Sequence, residues 1–75
     1  MMNEVGNIWE IMETYIPSKV WDDLMYIGRK GDITLYKHID SRRYINIDSQ
    51  GKCYSYTTNG YVEVDFDKAL NHLLS

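Results

Sequence analysis

Residues 33–64 read ITLYKHIDSRRYINIDSQGKCYSYTTNGYVEV and specify most of the secondary structure of this chain. Apolar and polar side chains alternate along it, and it is rich in β-branched and aromatic residues, which is typical of half-buried β-strands. Turn-forming residues interrupt the alternation at 40–43, 48–51 and 59–60. The stretch therefore predicts four antiparallel strands joined as a meander, at residues 33–39, 44–48, 52–57 and 61–64.

Helical periodicity precedes this sheet. Apolar residues recur at spacings of three and four along one face of an N-terminal helix: Val5, Ile8, Trp9, Met12, Tyr15 and Ile16. Pro17 ends the helix, because the residue before a proline is pushed out of the helical region. The spacing of Val20, Leu24 and Ile27 predicts a second helix that Gly28 stops, and residues 24–29 also fit a strand.

A C-terminal helix is predicted after the sheet, because Phe66, Leu70 and Leu73 fall on one helical stripe behind Asp65. A chain of 75 residues has room for one core. We therefore expect a single α+β domain over residues 1–75: a four-stranded antiparallel meander with an N-terminal helix, or two, and the C-terminal helix packed on one face.

The turns determine which side chains share a sheet face. The loop at 49–51 places Ile47 opposite Cys53 and Tyr44 opposite Tyr56. The loop at 59–60 places Thr57 opposite Val62 and gives the same partition, and the first strand is placed so that its isoleucines agree with it. The aliphatic face is expected to carry Ile33, Leu35, Ile39, Ile45, Ile47, Cys53, Ser55, Thr57, Val62 and Val64. The opposite face, called here the tyrosine face, is expected to carry Tyr36, His38, Tyr44, Asn46, Tyr54, Tyr56, Tyr61 and Glu63.

The tyrosine face is the first candidate for a function, since it gathers five of the seven tyrosines of the chain. Tyrosine provides large, rigid contact area and is enriched at protein interfaces. The sequence thus predicts a non-enzymatic protein-interaction module with these partner-binding residues: Tyr36, His38, Tyr44, Tyr54, Tyr56 and Tyr61. Three other uses of the face stay open: stabilisation of an exposed sheet by tyrosine pairs, cover by a helix, and a homodimer.

Single-stranded nucleic acid is the alternative partner, because tyrosines on a sheet stack on bases and neighbouring basic residues contact phosphates. The candidate contacts are Arg29, Lys30, Arg42, Arg43 and Lys52. Gly28-Arg29-Lys30-Gly31 is similar to the loop with which KH domains clamp a nucleotide backbone. The alternation after residue 33 predicts a strand where those domains need a helix, so a plain turn is favoured. The net charge of −3 also weighs against nucleic acid.

The sequence contains no motif that is typical of a catalytic, cofactor-binding or metal-binding site. Cys53 is the only cysteine, which excludes an internal disulfide, and His38 and His72 lack companions at metal-ligand spacing. His38 and Cys53 are predicted on opposite faces, so they do not form a nucleophile pair. No enzyme activity, cofactor or metal site is expected. Neither a signal-peptide pattern nor a bilayer-spanning apolar run is present, so a cytoplasmic location and no membrane partner are expected.

Acidic residues of the N-terminal part form a secondary candidate surface. Glu10 and Glu13 lie off the apolar helical stripe, and Asp22 and Asp23 follow. Such a surface can imitate phosphate charge and occupy a nucleic-acid-binding protein. By analogy of composition, an inhibitor or antitoxin-like partner of the phage or plasmid type is one form of the predicted interaction module.

Overall fold

In the part of the chain that the structure describes, five strands form one antiparallel sheet, with helices before and after it. The computed structural model describes the backbone of residues 4–75 and the side chains from Trp9 onward. The elements are α1 (Glu4–Tyr15), α2 (Ser18–Trp21), β1 (Leu24–Lys30), β2 (Ile33–His38), β3 (Tyr44–Asp48), β4 (Cys53–Thr57), β5 (Gly60–Val64) and α3 (Phe66–Leu74). The strands neighbour one another in chain order. The predicted small α+β domain with an antiparallel sheet is confirmed.

The sheet has five strands instead of the predicted four, because residues 24–30 extend the meander. Residues 24–29 fitted both the end of the second helix and a strand, and the structure has the strand, since α2 ends at Trp21 and β1 begins at Leu24. β1 pairs with β2 from Leu24 to Lys30, with a bulge at Ile27, and Gly31 (φ +60°) makes the turn. Pairing with a neighbouring strand outweighs a weak helical spacing that contains a glycine.

The predicted face of β2 is wrong by one residue. Tyr36 lies opposite Ile45, and Thr34 lies opposite Ile47, so Tyr36 and Thr34 share the face of the β3 isoleucines. Leu35 consequently lies on the tyrosine face, opposite Asn46. The reason is the loop between β2 and β3, which no pattern in the sequence had fixed. His38 N–H donates to the Arg43 carbonyl across this loop, and Arg42 adopts φ +64° within it.

The β4–β5 hairpin differs from its predicted register by two residues. Ser55 lies opposite Val62, and Cys53 lies opposite Val64, because the loop consists of Thr58 and Asn59. Gly60 follows the loop with φ +99°. Since side chains alternate with period two, a two-residue shift leaves every residue on its predicted face. The predicted face partition of β3, β4 and β5 is therefore retained.

The core lies between the helices and the face that carries Ile45, Ile47 and Cys53. Its buried apolar side chains are Met12, Ile16, Val20, Leu24, Tyr36, Ile45, Ile47, Cys53 and Leu73. Half-buried side chains of α1 and α3 pack against this cluster, among them Ile11, Phe66, Ala69 and Leu70. None of the helices in the described part of the chain is long and apolar enough to span a membrane.

The pairing between β3 and β4 is short. Only two residue pairs join these strands, Asn46 with Tyr54 and Ile47 with Cys53. The predicted pairing of Tyr44 with Tyr56 does not form. β3 and β4 therefore separate beyond Asn46 and Tyr54, and we call this opening in the sheet the fork.

Candidate functional site

A cavity of about 510 Å³ lies at the fork, and we call it the cleft. Four tyrosines line it: Tyr44, Tyr54, Tyr56 and Tyr61. Lys68, Ala69 and His72 line it from α3, which packs on the opposite face of the sheet. Side chains of both sheet faces meet in one cavity because the strands between them have separated.

Asn46 closes the inner end of the fork. It is 6% exposed, and its side-chain Nδ2 donates to the backbone carbonyl of Tyr54 at 3.1 Å. The amide thus supplements the last backbone pairing between β3 and β4. The ladder of β3 and β4 has no pair beyond Asn46 and Tyr54. Asn46 therefore marks the position where the ladder ends and the cleft begins.

The tyrosines of the cleft differ in exposure. Tyr56 is 72% exposed and Tyr44 is 44% exposed, whereas Tyr54 and Tyr61 are half-buried. The rings of Tyr56 and Tyr61 contact each other with centroids 5.0 Å apart. Lys37 Nζ lies 5.8 Å from the ring centroid of Tyr44, within the range of a cation–π interaction. The cleft thus has a fixed inner wall and two aromatic rings that extend into solvent.

The hydroxyl of Tyr54 is held by Asp48. It donates to Asp48 Oδ2 at 2.8 Å, while Oδ1 accepts the backbone N–H groups of Gln50 and Lys52, each at 2.9 Å. This hydrogen bond raises the pKa of Tyr54 to about 12, with burial and the Asp48 charge acting in the same direction. Burial alone would raise the pKa of Asp48, but the donated hydrogen bonds outweigh it and lower the pKa. The pair fixes the Tyr54 ring as one wall of the cleft.

The ionisable side chains that line the cleft beside the tyrosines are basic. Arg43, Lys68 and His72 line it, and no carboxylate does so among the described residues. Arg43 Nη1 lies 3.1 Å from His72 Nδ1. Because a guanidinium only donates, Nδ1 accepts this bond and Nε2 carries the proton of the imidazole. The cleft is therefore an aromatic cavity whose α3 side attracts anions.

Two predicted contact residues lie elsewhere, and their placement on the tyrosine face is wrong. Tyr36 is 0% exposed and forms an aromatic cluster with Trp9 and Tyr26, each at a centroid distance of 6.4 Å. Burial raises the pKa of Tyr36 to about 12. His38 is 7% exposed, and its Nδ1 hydrogen-bonds to Ser41. Both belong to the core side of the sheet, because the β2–β3 loop sets the register of β2.

The predicted basic contacts do not form one surface. Arg29 and Lys30 end β1, and Lys52 lies in the β3–β4 turn. Arg42 and Arg43 lie in the β2–β3 loop, at the opposite end of the strands. Only Arg43 lines the cleft with the tyrosines. Gly28-Arg29-Lys30-Gly31 forms the end of β1 and the first residue of a hairpin turn, with Arg29 3.9 Å from Asp32.

The contribution of α3 was missed by reasoning from the sequence. Lys68 and His72 are four residues apart and so lie on one helix face, which was the available signal. Their position beside Arg43 depends on α3 crossing β3 and β4, and a local pattern does not contain that information. Leu35 was also missed, because the face of β2 was assigned incorrectly.

Cys53 is a core residue. It is 0% exposed, and burial raises the pKa of its thiol to about 11. His38 shares its face, contrary to expectation, but lies four residues further along the strand direction, or about 13 Å. Within the described part of the chain, no three His, Cys, Asp or Glu side chains are grouped so as to hold a metal ion.

Comparison with known proteins gives no relative. The chain matches no protein-family model, no curated protein and no solved structure. The geometry of the cleft is therefore the basis on which a function is proposed.

Proposed function

We propose that this chain is a non-enzymatic protein-interaction module that binds its partner at the cleft. The observation that carries the proposal is the convergence of four tyrosines and one arginine on a single cavity. Tyrosine and arginine are the residue types, with tryptophan, that dominate the binding energy at protein interfaces. The rings of Tyr44 and Tyr56 supply accessible area, and Tyr54 and Tyr61 supply a fixed wall.

The exposure of Tyr56 favours a binding role over a stabilising one. With 72% of its surface in solvent, this side chain buries little area in the fold itself. A large aromatic group that the fold leaves uncovered gains most from burial against another molecule. Replacing Tyr56 with alanine is therefore expected to weaken binding of the partner more than truncation of any other side chain of the cleft.

Partner capture from the source cell tests this proposal. Immobilised wild-type chain is compared with Tyr56→Ala and with Val62→Ala, a matched control that is 47% exposed and lies outside the cleft. A specific partner should be retained by the wild type and by Val62→Ala and lost with Tyr56→Ala, then reproduced with the purified partner. Equal capture by all three chains contradicts the proposal.

Binding of single-stranded nucleic acid is the second candidate, and the three basic side chains of the cleft favour it. An oligothymidylate mobility shift at about 0.05 M and about 0.2 M salt tests it, because phosphate contacts make the affinity fall steeply with salt. The affinity of a protein interface centred on tyrosines should fall much less over the same change in salt concentration. Absence of a shift at the lower salt concentration removes this candidate.

An inhibitor or antitoxin-like role is a narrower form of the same proposal. The exposed carboxylates Glu10, Glu13 and Asp22 belong to α1 and the residue after α2, and none of them lines the cleft. Such a protein would use them as a second contact surface. Once a partner is captured, its activity with and without the purified chain tests this role, and an unchanged activity contradicts it.

A further inference from the structure

We infer that the cleft receives an acidic, extended segment of the partner as a short additional strand between β3 and β4. This inference rests on the proposed function, because it names the chemistry of the partner at the same site. Two independent features carry it: the backbone edges that face each other across the fork, and the sign of the charges around it.

The backbone edges follow from the alternation of the ladder. In an antiparallel pair, every second residue turns its N–H and C=O toward the same neighbour. Asn46 and Tyr54 form the last pair of β3 and β4, so Tyr44 and Tyr56 are the next residues whose backbone groups point across the fork. Ser55, between the two β4 tyrosines, pairs with β5 instead. The N–H and C=O groups of Tyr44 and Tyr56 therefore face the fork without a strand partner among the described residues.

An extended peptide is the ligand that such edges select. Its own N–H and C=O groups alternate at the spacing of the strands, which is the basis of recognition by strand addition. Nucleic acid has no matching backbone pattern. Successive side chains of the inserted segment would point alternately toward the tyrosines and toward α3.

The charges around the fork select the side chains of this segment. Arg43, Lys68 and His72 lie on the α3 side, where every second residue of an inserted strand would point. His72 Nε2 carries a proton that can be donated, because Nδ1 accepts from Arg43. Carboxylates of the ligand would neutralise Arg43 and Lys68 and accept a hydrogen bond from His72 Nε2, whereas lysines would be repelled by the two cations. The segment is therefore expected to alternate acidic and apolar residues.

Hydrogen exchange with a defined probe tests the inference. The probe is a capped peptide of about eight residues that alternates Val and Glu, compared with its Val-Lys counterpart and with a form N-methylated at every second residue. Amide exchange of the full chain is followed residue by residue by NMR, and affinity by fluorescence anisotropy. The Val-Glu peptide should slow exchange at the Tyr44 and Tyr56 amides at least about tenfold, and the other two peptides should not.

Charge reversal provides the matched variants. Lys68→Glu should weaken binding of the Val-Glu peptide at least about tenfold, and Lys52→Glu should leave it unchanged, because both lysines are exposed but only Lys68 lines the cleft. Equal binding of the Val-Lys or the N-methylated peptide overturns the inference. It is also overturned if the Tyr44 and Tyr56 amides are protected only by oligothymidylate, or only by dimerisation of the chain without peptide.

Partner capture separates this inference from the proposed function. If Tyr56→Ala abolishes capture and the Val-Glu peptide protects neither amide, strand insertion is wrong and the proposed function stands. If capture is the same for the wild type and Tyr56→Ala, the proposed function itself is wrong.

Discussion

The Tyr54 hydroxyl donates to Asp48 Oδ2 at 2.8 Å, and this bond connects the wall of the cleft to the turn that joins β3 and β4. Asp48 Oδ1 accepts two backbone N–H groups of the same turn. One carboxylate thus organises the turn and orients the aromatic ring. The closed end of the fork is stabilised by Asp48 on the turn side and by Asn46 on the strand side.

Replacement of Asp48 should destabilise the fold. Asp48→Ala removes the acceptor of three hydrogen bonds and leaves their donors to find other partners, so we expect the free energy of unfolding to fall by about 2–3 kcal/mol. Tyr54→Phe removes one of these bonds and should cost less. Urea denaturation of the two variants and the wild type measures both effects, and an equal loss in the two variants would contradict this assignment.

Asp48 should also contribute to loss of stability in acid. The pKa of Asp48 is lower in the folded chain than the ordinary value of an aspartate, because the hydrogen bonds that its carboxylate accepts outweigh the effect of burial. A carboxyl group of this kind stabilises the fold fully above its unfolded pKa, near pH 4, and the contribution disappears as the pH falls through the folded pKa. In Asp48→Asn, the decrease in urea midpoint between about pH 6 and about pH 2 should be smaller than in the wild type. Parallel pH curves for the two proteins would show that Asp48 is not responsible.

Gly51 should tolerate a side chain poorly because of Tyr15. A Cβ at Gly51 would lie 2.5 Å from Tyr15 Cε1, and Gly51 also has φ +88°. Gly60 has φ +99° with no atom near its Cβ position, so Gly60→Ala reports backbone strain alone, about 1–2 kcal/mol. Gly51→Ala should be more destabilised than Gly60→Ala in thermal unfolding. Equal melting temperatures would mean that the Tyr15 ring moves away at no cost.

Truncation of Tyr36 should affect the stability of the fold, whereas truncation of Tyr56 should affect binding. Tyr36 is 0% exposed, so Tyr36→Ala should lower the free energy of unfolding by about 3–5 kcal/mol. Tyr56 is 72% exposed, so Tyr56→Ala should change it by about 0.5 kcal/mol or less and affect binding instead. Chemical denaturation of both variants checks this, and a strongly destabilised Tyr56→Ala would invalidate it as a binding probe.

The Cys53 thiol should resist alkylation in the folded chain. The side chain is fully buried, and its pKa is raised to about 11, so little thiolate forms near neutral pH. Mass spectrometry after iodoacetamide treatment should show no modification without denaturant and complete modification in urea. Rapid labelling of the native chain would show that the core around Cys53 opens frequently.

Turn chemistry and the alternation of side chains predicted which tyrosines of β4 and β5 share a face of the sheet. The loop at 49–51 places Ile47 opposite Cys53, so Tyr54 and Tyr56 lie on the face opposite to Ile47, and the turn between β4 and β5 places Tyr61 on the same face. The face of β2 was assigned only by placing its isoleucines with those of β3, and this assignment was wrong for Tyr36. The loop before β3 includes Arg42 in a left-handed conformation that its sequence does not predict. A single-residue offset in that loop exchanged the two faces of β2.

The sequence alone determined the helices at both ends, the antiparallel meander and the face partition of β3, β4 and β5, since these depend on side-chain period and on short turns. The tertiary structure decided the fifth strand, the face of β2 and the fork, because each depends on which surfaces pack together over long separations in the chain. The cleft itself required both: alternation gathered the tyrosines on one face, and the crossing of α3 beneath the fork brought Lys68 and His72 to them.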